Sequence, residues 1–214
     1  MIIQRVSNIG VMQEISYFRK EKKSMLKKGN EIPTIDCALV TIKVKDDASG
    51  RELALDTASK IEVEVQTSET EAIKLVIKNK LKAQKGQQTT ITGHRITLTD
   101  NVFIPELAVI LQGGKITWEG TEYESKVTKY EPPIAGSGEK GKVFDLIAYS
   151  AIYDAAAVLV GYEKITYPNC QGQPFGLNSE DNVFRVSEYT IDSAPDEKQA
   201  PYTIEYVSTL PDIE

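Results

Sequence analysis

The sequence predicts a mainly β protein, an antiparallel β-sandwich or partial barrel with one short flanking α-helix at about residues 101–112. Three observations point there. Short segments rich in β-branched residues recur along the chain, several with strict alternation. Clusters of Gly, Pro, Asp and Asn separate them as turns. One stretch alone carries the start, the apolar face and the stop of a good helix. With 214 residues the chain can bury a substantial core without staples. Its 41% hydrophobic and 26% charged residues are ordinary for a globular domain.

The first 30 residues stand apart as a basic N-terminal arm or helix. Val11, Ile15, Phe18 and Met25 fall near helical spacing, but the stripe is thin. A single β-rich domain is expected over 31–214. Cys37 to Lys45 reads as a strand that ends in the turn cluster Asp46-Asp47-Ala48-Ser49-Gly50. Arg51 to Lys60 is polar and irregular, so a long loop is expected over about 46–60. Ile61 to Val65 alternates strictly. In 73–83 the odd positions are mostly apolar and lysines occupy the even ones, which fits period 2. Thr89 to Thr99 has the composition of another strand or hairpin.

The helix follows: Asp100-Asn101 offer a polar start and Pro105 suits a first turn. Leu107, Val109, Ile110 and Leu111 supply the apolar face, and Gly113-Gly114 the stop. Strand candidates continue in 115–130, 143–153, 158–167, 183–192 and 202–207. Asp154 to Ala157 reads as a turn or one helical turn. The stretches 131–141, 167–176 and 194–201 read as loops. About eight to ten short strands around one helix define the class.

Charge narrows the partners. The net charge is −6, which argues against a bound nucleic acid, because phosphate binding needs a basic patch. The charge is uneven: residues 1–34 carry +4 and residues 186–214 carry −6. A basic end meeting the acidic end of a neighbouring copy would build rings or open stacks. The longest apolar run, Ala155 to Val160, is far below the ~20 residues of a membrane-spanning helix. The N-terminus lacks the pattern of a secretory signal. Two cysteines, Cys37 and Cys170, exclude a disulfide scaffold and suit a reducing compartment.

No catalytic, cofactor-binding or metal-ligating set emerges. His94 is the one histidine, so any triad or histidine-based metal site would need it; a turn or surface histidine is the plainer expectation. Cys170 lies in the loop YPNCQGQP with no activating base beyond His94 in view. Gly136-Ser-Gly-Glu-Lys-Gly141-Lys142 satisfies GxxxxGK, yet Val143 stands where Ser or Thr should hold magnesium. A strand, not a helix, is expected after it, so the phosphate cradle is missing. The close carboxylate pairs are scattered, and Glu62 and Glu64 project from one face of a strand.

Several long strings carry a resemblance: ITLTDNVFIPELAVILQGGKIT at 96–117, EPPIAGSGEKGKVFDLIAYSA at 131–151, YPNCQGQPFGLNSEDNVFRVSEYTIDSAP at 167–195, and PYTIEYVSTLP near the end. They resemble the major tail proteins, or tail tube proteins, of tailed bacteriophages and prophages of Gram-positive bacteria, over roughly 90–214. The resemblance implies a β-sandwich or partial barrel with a short helix. It implies subunits joined edge to edge into rings, usually hexameric, stacked into a hollow tube that conducts DNA. Implied partners are further copies of the chain, a tape-measure protein, tail-tip or baseplate proteins and a tail terminator. No enzyme activity and no cofactor are implied, and the implied place is the virion tail, assembled in the host cytoplasm.

On that reading the ring-stacking candidates are Arg19, Lys20, Lys22 and Lys23 in the basic arm, with Asp46, Asp47, Arg51 and Glu52 in the long loop. Glu62 and Glu64 are candidates for an acidic lumen, which would repel phosphate and let DNA slide. An inner tube protein of a contractile tail or of a phage-derived injection particle is an alternative. A β-sandwich module for carbohydrate or receptor, using Trp118 and Tyr123, is another, and a small hydrolase dependent on His94 a third.

Overall fold

A computed structural model describes residues 33–45, 52–120 and 126–212. It is mainly β, with antiparallel sheets, one short helix and no closed barrel among the described residues. β1 (Thr34–Val44) and β2 (Glu52–Leu55) are followed by β3 (Ala58–Thr70), β4 (Ile73–Ile77), β5 (Lys80–Lys85) and β6 (Gln88–Asp100). Helix α1 (Pro105–Gln112) comes next, then β7 (Lys115–Glu119) and β8 (Lys126–Glu131). β9 (Phe144–Tyr153), β10 (Leu159–Gly172), β11 (Ser187–Ser193) and β12 (Thr203–Val207) complete the chain.

The main sheet has eight strands. Its order is β2-β1-β9-β10-β11-β6-β3, with β12 also paired to β10. β9 occupies one edge of β10. The other edge is shared: β12 pairs with Tyr162–Thr166, and β11 pairs with Cys170–Gly172. Between them lies a register shift that holds Pro168 and Asn169, the latter at φ 52°. Proline cannot donate to a ladder, so its place at such an irregularity is expected. The sheet therefore branches at β10. β1 and β3 approach each other without forming a ladder.

The central strands are buried on both faces. In β9, Phe144 and Leu146 join the main core with Val40, Ile42, Ile96 and Leu98, while Ile147 and Tyr149 join a second cluster with Leu39. Val207 and Leu210, at the C-terminal end, cover that second face. The near-continuous apolar run of β9 follows from this double burial.

Helix α1 closes the main core with Leu107, Ala108, Ile110 and Leu111. It begins at Pro105, later than the expected 101. Ile104 stands at the N-cap without a side-chain cap, and Pro105 supplies the start because a first-turn N–H has no helical partner in any case. Asp100 has another task. Its Oδ1 accepts from Thr57 Oγ1 at 2.6 Å and from Val102 N at 3.0 Å, tying the β2–β3 corner to the chain entering the helix. Gly113, at φ 85°, ends the helix and donates its N–H to Val109 O at 2.9 Å.

The described part of the expected 46–60 loop is largely strand. Glu52–Leu55 pairs with β1 (Leu55 opposite Val40), and β3 begins at Ala58. Leu53 and Leu55 face the core, and two apolar residues in a four-residue strand are too short a signal for periodicity to reveal. Two other limits shift. β10 runs on to Gly172, past the expected end at 167, and β11 begins at Ser187 instead of 183.

Candidate assembly surface

β3 and β6 form a long antiparallel hairpin, but β11 pairs only with His94–Asp100 of β6. Beyond Gln66 and Gly93 the two strands leave the sheet. The departure point is tight: a Cβ on Gly93 would stand 2.1 Å from Ser193 O, and the β3–β6 register shifts between Gln66 and Thr67. From there the ribbon continues into β4 and β5, which form a two-stranded sheet of their own. Lys78 and Asn79, both at positive φ (49° and 60°), make its two-residue turn.

Every residue from 67 to 92 is exposed. That includes Ile73 at 67%, Leu75 at 53%, Val76, Ile77 and Leu81. The alternation in 73–83 does mark strand, as its period predicts. The apolar positions nevertheless find no cover within the described chain, whereas period 2 ordinarily signals a half-buried strand. The signal that could have separated the two cases is the lysine content: Lys74, Lys78, Lys80, Lys82 and Lys85 fall within 73–85 with no acid among them.

A second apolar surface lies where the ribbon leaves the sheet. Val65 sits directly across from His94, and Val63 across from Ile96. His94 is buried, and its ring meets Tyr167 at 5.3 Å and Tyr202 at 5.5 Å, edge to face. Tyr202, Ile204 and Tyr206 alternate along β12 and share that side of the sheet. Val65 is 51% exposed and Tyr206 56%, and Val63, Tyr202 and Ile204 are also exposed. These five side chains form an open lip on the core side. Glu163 lies beneath Tyr206, whose hydroxyl reaches its carboxylate at 3.4 Å, and exposed Asp196 and Glu197 precede Tyr202.

Glu62 and Glu64 project from the other face of β3, opposite Thr97 and Arg95. Both are exposed, and Glu62 pairs with Lys60. Arg95 bridges onward to Asp192 of β11 at 2.9 Å, so this face is a polar band of alternating charge across three strands. That carboxylate raises the Arg95 pKa above its ordinary value by hydrogen bonding and charge. Glu52, the described member of the expected stacking loop, is engaged inside its own sheet: it accepts from Thr41 Oγ1 at 3.2 Å and stands 3.9 Å from Lys43. Arg19, Lys20, Lys22, Lys23, Asp46, Asp47 and Arg51 lie outside the described residues, as does Tyr123. Trp118 stands half-exposed on the β7–β8 hairpin, away from the core.

His94 is buried in the sheet, not the turn or surface residue expected, because its strand runs between β3 and β11. Desolvation lowers its pKa, and Nδ1 has no hydrogen-bond partner. Cys170 is buried within β10, its thiol donating to Tyr167 O at 3.3 Å. Burial pushes its pKa up to about 12, which makes it a poor nucleophile. Gly141 of the GxxxxGK stretch presses on the carboxyl end of α1, and Lys142 N donates to Ile110 O at 2.8 Å. The loop thus faces the negative end of a helix dipole, the opposite of a phosphate cradle. Among the described residues no group of three His, Cys, Asp or Glu side chains could hold a metal ion.

No family model and no curated protein matches the chain. Several solved structures resemble it at low similarity. The tube-terminating cap of the anti-feeding prophage is 11% identical over 86% of this chain and 97% of that one, with a TM-score of 0.37. The sheath–tube complex of an extracellular contractile injection system, in its extended state, is 13% identical over 84% and 95%, with a TM-score of 0.35. At these scores neither likeness bears on what the chain does.

Proposed function

We propose that the chain is a structural subunit of a bacteriophage tail tube, self-assembling into stacked hexameric rings that form a hollow conduit for DNA. The observation that carries this reading is the β3–β6 ribbon. A two-stranded ribbon is marginal alone in water, and one with large exposed apolar side chains calls for a partner. The edges of the sheet add support. β3 is a 13-residue terminal strand of the sheet, and an edge of that length invites pairing with another chain. Ring closure removes such edges by pairing each with a neighbour. The resemblance of 90–214 to tail tube proteins supplies the particular machine.

On this reading Glu62 and Glu64 face the lumen, where their charge keeps DNA from sticking. Residues 1–30 and the stretch of about 46–60 contact the neighbouring ring. The tape-measure, tip or baseplate, and terminator proteins meet the tube inside and at its ends. Negative-stain electron microscopy of the purified chain, with light scattering, tests the proposal. Rings or tubes of constant diameter are expected. A strictly monomeric species at every concentration would refute self-assembly.

A further inference from the structure

We propose that the tip of the ribbon, β4–β5, docks on the open lip of a second copy, against Val63, Val65, Tyr202, Ile204 and Tyr206. This rests on the reading above that copies assemble, and it names the donor and acceptor surfaces. Both are apolar and unpartnered within one chain. The tip exposes Ile73, Leu75, Val76, Ile77 and Leu81. The lip continues the main core past His94 to the open end of the sheet.

Their charges are complementary. The tip carries five lysines and no acid over 73–85. On the acceptor side Glu163 lies under Tyr206, and exposed Asp196 and Glu197 stand six and five residues before Tyr202 with Lys198 as the one cation beside them, while Lys164 is already bound to Glu205 at 2.7 Å. Opposite rims steer two apolar patches together and suppress wrong registers. About 30 Å of chain separates Val65 from Leu75, and every residue from 67 to 75 is exposed, so the tip does not cover the lip of its own chain. Donor and acceptor are different surfaces, so a contact made in one direction only is heterologous and propagates into a ring or a stack, whereas a reciprocal exchange of tips would close a pair.

The test places photoreactive benzoylphenylalanine at Leu75 of the full chain. Equal amounts of normal and 15N-labelled copies are mixed, irradiated and digested. The expected product is a mixed-isotope crosslink from the tip to the peptide carrying Tyr202–Tyr206. A second arm uses the triple variant Lys74→Glu, Lys80→Glu, Lys82→Glu, expected to weaken self-association at least tenfold. Asp196→Lys with Glu197→Lys on the partner should restore it. Constant-diameter tubes without the tip-to-lip crosslink would overturn this docking and leave the tube reading standing. Crosslinked oligomers that never form tubes would support the docking and overturn the tube. Unchanged association in the triple variant would also overturn the docking.

Discussion

Gly141→Ala tests what the GxxxxGK stretch is for. The added methyl would stand 2.1 Å from Leu111 O and 2.5 Å from Ile110 O. Carbon and oxygen normally touch at roughly 3.3 Å, so the loop or the helix end must retreat by about 1 Å. Both obstacles are backbone of a buried helix, and no rotamer change relieves them. Overpacking of this kind costs about 1–3 kcal/mol. The retreat also breaks the Lys142 N to Ile110 O bond, worth about 0.5–1.5 kcal/mol. Together these give about 2–4 kcal/mol, or a melting-temperature drop of about 5–15 °C for a chain of this length. Differential scanning calorimetry measures it. Gly86→Ala and Gly176→Ala are controls, since nothing lies within 4 Å of a Cβ at either place. ATP should leave the melting temperature of the wild type unchanged. A Gly141→Ala protein that melts like the wild type would refute the claim that this glycine seats the loop on the helix.

Other predictions concern single residues. The lowered pKa of His94 means that the unfolded chain binds its proton at higher pH than the native state does. Stability should therefore be full above the unfolded value near 6.5 and fall as pH drops below it, by at most about 1.4 kcal/mol per pH unit from this group; a His94→Gln variant whose denaturant midpoints show the same pH slope would refute that. Cys170 should resist a thiol-specific chromogenic reagent in native buffer and react in denaturant, so rapid native labelling of Cys170 in a Cys37→Ser background would contradict its burial. Ala157 sits at φ 59° in the turn closed by Asp154, whose Oδ1 accepts from Ala156 N and Val158 N at 2.9 Å each. Ala157→Gly should raise stability by about 1 kcal/mol, and a lower melting temperature would count against it.

The sequence by itself determined the class of the fold and the place of most elements. Alternation marked β1, β3 and β4, Thr and Ile content marked β6, the apolar stripe with Pro105 and Gly113 marked α1, and the break at Asp154–Ala157 marked a short connection. These are local signals, written in residues two to four positions apart, and local physics decides them. The missing helix after Gly141 was equally legible, and with it the weakness of the phosphate-loop reading.

What only the tertiary structure decided is which faces are covered. β4 and β9 are both apolar, yet β9 is buried on both sides and β4 on neither. Periodicity reports that a strand has an apolar face, not what lies against it. His94 is buried because strands far away in sequence flank it, and Glu52 is occupied because β1 brings Thr41 and Lys43 beside it. The ribbon and the lip are likewise made by where β11 stops along β6 and where β12 starts along β10. Such limits are set by long-range pairing, and no window of neighbouring residues contains them.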